Sequence, residues 1–154
     1  MRNLRNGLTL MALVLVLGAG SALAHCQIPC GIYDDSTQFA VMREKVTTIE
    51  KSMKEIVDLS AAEPVNYNQL VRWVTNKDNH ATMLQDIVTE YFMFQRVKPA
   101  DPTDAEHWQS YIDKLTLLHG IAVNAMKAKQ TTDLQYIEKL RQGIDAFEKA
   151  YFSH

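Results

Sequence analysis

The chain has 154 residues, with 16 lysines and arginines against 18 aspartates and glutamates and a formal charge of −2 at pH 7. That length suits one domain with a single hydrophobic core and leaves no room for a second. The slightly acidic balance argues against nucleic acid as a partner.

Residues 1–24 read as a cleaved secretory signal. Arg2 and Arg5 precede the apolar run Leu8 to Leu17, and Gly18 to Ala24 ends on Ala22-Leu23-Ala24, with small residues at both ends of the tripeptide. The apolar run is about half the ~20 residues needed to span a bilayer. Cleavage after Ala24 takes 24 residues from the 154 and leaves 130. Two of the 16 basic residues and no acid go with them, so the remainder carries 14 basic against 18 acidic residues, a formal charge of about −4. A periplasmic or secreted protein with no membrane segment after cleavage is expected. An anionic substrate would then depend on lysines placed locally around the site.

Both cysteines fall in the stretch 25–33 that follows. Cleavage makes His25 the amino terminus, which adds a primary amine to its imidazole. The peptide nitrogen of Cys26 closes a chelate ring, and the thiolates of Cys26 and Cys30 complete a square-planar set that an imidazole can approach axially. Tetragonal nitrogen donors point to Ni(II) or Cu(II) rather than zinc. An oxidising compartment offers the competing outcome of a Cys26–Cys30 disulfide. Cysteines four apart with no histidine following exclude a c-type haem motif.

The run H-C-x-x-P-C-G-x-Y, here His25, Cys26, Pro29, Cys30, Gly31 and Tyr33, resembles the hook of nickel superoxide dismutase at all six defining positions. The resemblance implies one nickel ion per subunit held by His25, Cys26 and Cys30, and superoxide anion as substrate. It implies a catalytic set of His25, Cys26, Cys30 and Tyr33, with Tyr33 beside the open metal face, gating small anions. It implies a cis Ile28-Pro29 peptide, and a homohexamer in which each hook lies against a neighbouring subunit. Two thiolates and a deprotonated amide stabilise Ni(III), as cycling between superoxide oxidation and reduction requires. Two positions depart from the family. Gln27 stands where an aspartate is common, and counting without gaps puts Val41 where the acid that orients the axial imidazole should be. Glu44 and Arg72 are the candidate substitutes for the missing acid and its arginine.

Residues 34–154 read as an all-α, up-down-up-down four-helix bundle preceded by the hook at 25–33. Ser36 or Thr37 is expected to cap a first helix with apolar positions Phe39, Met42, Val46, Ile49, Met53 and Ile56. Leu59 to Pro64 breaks the pattern. A second helix from Asn66 to Arg96 carries Leu70, Val74, Ala81, Leu84, Val88 and Tyr91, and Asn76-Lys77-Asp78-Asn79 suggests a kink. Trp73, Tyr91, Phe92 and Phe94 make this stretch richer in aromatics than one core stripe requires, which leaves core packing and a subunit interface both open.

Pro99 and Pro102 mark a turn, and Thr103 to Glu106 has the form of a capping box. The third helix carries Trp108, Tyr111, Leu115, Leu118, Ala122 and Met126. Thr131 or Thr132 is expected to start a fourth, with Ile137, Leu140, Ile144, Phe147 and Tyr151. No segment shows strand alternation. His80, His107, His119 and His154 form no paired motif, which argues against a diiron carboxylate site. Two other classes stay open: a noncatalytic periplasmic metal-binding or metal-delivery bundle using the same hook, and a structural bundle closed by the disulfide.

Overall fold

A computed structural model describes residues 34–153, and every regular element among them is helical. Helix α1 runs Asp35–Ala61, α2 Tyr67–Asp86, α3 Ala105–Gln130 and α4 Gln135–Phe152, with a π-helical segment, Ile87–Arg96, continuing α2. Each helix packs on its two neighbours in chain order, and α4 closes the ring on α1. The neighbours run antiparallel, since Arg43 of α1 pairs with Asp145 at 2.7 Å and with Glu148, while Glu50, two turns on, pairs with Arg141 further back along α4. Four amphipathic helices bury their stripes in this way only against one another, and the outcome is the expected four-helix bundle.

The α1 seam is as its spacing predicts: Phe39, Met42, Val46, Ile49 and Met53 are fully buried, and Ile56 is half-buried. Its cap is not Ser36 or Thr37. Asp34 takes that place, its carboxylate accepting from the Ser36 amide at 3.0 Å. Helix α2 is capped by Asn66, which accepts from the Gln69 amide at 3.2 Å.

Helix α2 runs unbroken through Asn76 to Asn79, and two of these polar residues, Asn76 and Lys77, make contacts across the bundle. Asn76 donates to the Ser52 hydroxyl at 2.9 Å. The Lys77 ammonium, 4 % exposed, donates to the carbonyls of Ala128, Lys129 and Thr131 at 3.1, 2.6 and 3.3 Å. These carbonyls end α3 and have no helical partner, so a buried cation supplies it. Of the expected α2 stripe, Ala81, Leu84, Val88 and Tyr91 are buried, Leu70 is half-buried and Val74 is exposed.

Two other starts move. Thr103 does not form the capping box; its amide and hydroxyl both donate to Asp101 at 2.8 Å, and Asp104 caps α3 by accepting from the His107 amide at 3.3 Å. Thr131 and Thr132 do not begin the fourth helix. The Thr131 hydroxyl accepts from the Asp133 amide at 3.1 Å and Asp133 from the Gln135 amide at 2.9 Å, so the helix opens at Gln135. The buried face of α3 is Leu118, Ile121, Ala125 and Ala128, turned by about one residue from the expected line, which leaves Ala122 half-buried and Met126 exposed. On α4 the expected Ile137, Leu140, Ile144 and Phe147 are all buried.

Two substitutions separate the apolar and polar parts of this core. Phe39→Ala empties the space of a fully buried ring and should cost about 3–5 kcal/mol. Lys77→Met keeps the packing but leaves the α3 carbonyls without donors, and should cost about 1–3 kcal/mol. Urea unfolding of both variants reads the difference, and a Lys77→Met variant as stable as the parent would mean that water replaces the ammonium.

Candidate metal centre

The proposed ligands His25, Cys26 and Cys30 and the gate Tyr33 lie outside the described residues, as does His154. The other histidines are spread over the bundle. His80 is half-buried with its Nδ1 unpartnered, and burial, reinforced by nearby Lys45, holds it below the ordinary imidazole range. His107 is exposed and pairs with Asp104 at 2.7 Å, which raises it. His119 is exposed on α3. Among the described residues no group of three or more His, Cys, Asp or Glu side chains is placed to hold a metal ion. No described helix is long and apolar enough to cross a membrane.

The candidate partners Glu44 and Arg72 are exposed and do not pair with each other. Arg72 lies with Lys51, Gln69 and Trp73 along a cleft between α1 and α2, and the Lys51 ammonium sits 5.7 Å from the Trp73 ring. The acid–arginine pair nearest in sequence to the hook is a different one. Asp35, in the first turn of α1, accepts from the Tyr91 hydroxyl, from the Tyr151 hydroxyl at 2.7 Å and from Arg96 Nε at 3.0 Å. Arg96 also donates to the Tyr91 oxygen at 3.1 Å and lies over that ring, 4.9 Å from its centroid.

The π register explains how one segment supplies two of these donors. Its bonds run from residue i to i+5, as the Val97 amide shows by donating to the Phe92 carbonyl at 2.8 Å, so residues five apart such as Tyr91 and Arg96 stack. Nothing in the sequence marks a π segment, and the pairing of Asp35 with Arg96 spans 61 positions. The one legible hint is an acid in the first turn of a helix.

Arg96 and Tyr151 also face a cleft of about 470 Å³ beside the 97–104 linker and the start of α3, where Lys98 and Lys114 add positive charge and Asp101 and Asp104 negative. Burial pushes the Asp35 carboxyl up, but the two phenols and the guanidinium outweigh it, and the group ends below its ordinary value of 3.8. The same burial, together with the Asp35 charge, raises both phenols.

The described residues form an all-α four-helix bundle, and both cysteines precede its first helix in the sequence. Residues 20–154 match the family model of nickel-containing superoxide dismutase, and the chain belongs to that family. It is a nickel-dependent superoxide dismutase, an oxidoreductase that converts superoxide to dioxygen and hydrogen peroxide. No curated protein and no solved structure matches it.

The Asp35 cluster makes stability acid-sensitive. A carboxylate lowered in the folded state contributes stability that is present above its unfolded value and lost as pH falls through its folded one. Asp35→Asn should therefore be less stable than the parent at neutral pH, and the gap should narrow as pH drops below 3.8. Thermal unfolding across pH reads this directly; a gap that stays constant would mean that Asp35 carries no differential charge.

Proposed function

We propose that signal removal between Ala24 and His25 creates the nickel site, and that His25, through its amine and imidazole, the Cys26 amide and the Cys26 and Cys30 thiolates hold the ion. The observation that carries this is the nine-residue hook, which lies inside the stretch 20–154 matched by the family. The donor set fits the metal: anionic sulfur and amide nitrogen suit a tetragonal ion that must reach a higher oxidation state. Nickel, when bound, supplies the one-electron alternation that dismutation needs. The chain's own part is to present deprotonated thiolates, orient the His25 imidazole, and place Tyr33 to admit small anions. Because the ligands must lose their protons to bind, nickel affinity falls as pH is lowered. Lys98 and Lys114, set against Asp101 and Asp104 around the 470 Å³ cleft, are the local cations that could draw an anionic substrate to an acidic protein.

Assembly into a homohexamer is part of this reading. Tyr67, Val71 and Val74 stand 71, 63 and 39 % exposed at helical spacing on one face of α2, and Phe94 is 72 % exposed. A second copy of the chain is the natural cover for such a stripe. The signal over residues 1–24 assigns the protein to the periplasm or the medium.

Native mass spectrometry of protein from its own compartment tests the whole reading. A chain beginning at His25, one nickel per subunit and a sixfold mass are expected. Retained Ala24 would remove the amine ligand and sink the site assignment. A metal-free chain two daltons light would favour the Cys26–Cys30 disulfide, and metal bound without superoxide turnover would favour a delivery protein. Val71→Glu should lower the assembly mass while leaving helicity intact.

If the cleft cations draw superoxide in, Lys114→Gln should lower kcat/KM severalfold at low salt and much less at high salt, where screening already weakens attraction over a Debye length of about 3–10 Å. Pulse radiolysis at two ionic strengths measures this, and an equal loss at both would argue against steering.

A further inference from the structure

We propose that Asp35 is a positioning residue for the nickel hook: its carboxylate, gripped by Tyr91, Tyr151 and Arg96, fixes the point at which the hook joins the bundle. The inference rests on the hook reading above. Asp35 lies five residues after Cys30 and two after Tyr33. Two peptide units span at most about 7 Å, so whatever holds Asp35 also bounds the reach of Tyr33.

The grip is built for more than a helix start, because α1 already has its cap in Asp34. Its three donors come from two other parts of the bundle, Tyr91 and Arg96 from the π segment and Tyr151 from α4. Tyr91 is 8 % exposed, and the Arg96 and Asp35 side chains 18 and 26 %, so the charges meet largely away from water, where losing one partner is costly. A carboxylate with donors on both oxygens has little freedom to turn. Tyr151 and Arg96 also line the 470 Å³ cleft, where Lys98 and Lys114 face Asp101 and Asp104.

Glu50 is the matched control. It too is an α1 carboxylate held by side chains, here the cations Lys54 and Arg141, but it stands four turns further along. The test uses the chain beginning at His25, loaded with nickel, at a temperature where circular dichroism shows every variant fully folded. Nickel release to a chelator, the paramagnetic resonance of the oxidised centre, and KM against kcat are measured. Asp35→Asn should release nickel about tenfold faster, the scale of losing an outer partner of a metal site, with a broadened resonance. Glu50→Gln should stay within about twofold of the parent. Tyr151→Phe removes one donor and keeps the ion pair; it should move release in the same direction by a smaller factor, and it stands in if Asp35→Asn does not fold.

Parent-like release and resonance in Asp35→Asn, or in Tyr151→Phe where that variant stands in, would overturn the proposal. So would an equal loss in Glu50→Gln, which would reduce the effect to general weakening of α1. A parent chain that takes up no nickel would instead overturn the hook assignment, and this role with it.

Discussion

The start of α1 is held by one ring. Phe39 packs against Phe92 at 4.9 Å, Phe147 at 5.5 Å and Tyr151 and Phe152 at 5.7 Å between centroids, so α1, the π segment and α4 converge on it. Tilted and edge-on pairs at these separations suit the ring quadrupoles, and each ring adds a large apolar area. Asp35 lies four residues before Phe39, which places both side chains on one face of the helix. The aromatic packing therefore delivers a carboxylate to the spot where two phenols and a guanidinium wait. Without Phe39 seated there would be no reason for Asp35 to meet Tyr91 and Tyr151.

The π segment is the second half of the same constraint. An i to i+5 ladder is poorer in packing than an α-helix, and long runs of it are rare. Here it leaves a cost in view: Gln95 is 7 % exposed, donates to the Glu90 carbonyl at 2.8 Å, and its own oxygen has no partner. An α-helical register would have set Tyr91 and Arg96 on different sides, and a single carboxylate would not have met both. The arrangement keeps one unsatisfied acceptor in exchange for a fully donated carboxylate near the first helix's start.

How much of this the sequence disclosed follows from the range of each interaction. Core stripes such as Phe39 to Met53 and Ile137 to Phe147 were legible, because burial repeats with the helical period. The helix starts were misplaced by one to three residues: serine and threonine compete with neighbouring aspartates, so Asp34 and Asp104 cap α1 and α3, while α4 opens after Leu134 with no side-chain cap. Polarity at Asn76 and Lys77 suggested a kink because the sequence does not show the open carbonyls of α3, 51 to 54 positions away, that Lys77 reaches. Asp35 and Arg96 were missed for the same reason, and Arg72 stood only as a substitute where no arginine falls in the family position. The chemistry of the hook stood the other way round. Its proposed donors, His25, Cys26 and Cys30, lie within six residues of the chain, so local spacing carried the signal.

That contrast explains how labour divides along the chain. The proposed chelating residues lie within six positions and need no fold to be recognised, whereas the donors that hold Asp35 come from helices distant in sequence. A bundle can therefore exchange its outer residues, as Val41 suggests it has, while the six defining positions of the hook stay intact. What the bundle must keep is a rigid place of attachment. Packing fixes the helix axes, the aromatic cluster fixes the end of α1, and a charge-assisted bond on each Asp35 oxygen removes the last freedom of its first turn. Each step narrows the positions open to the residues ahead of it, and only the last depends on residues that neither periodicity nor motif could have paired.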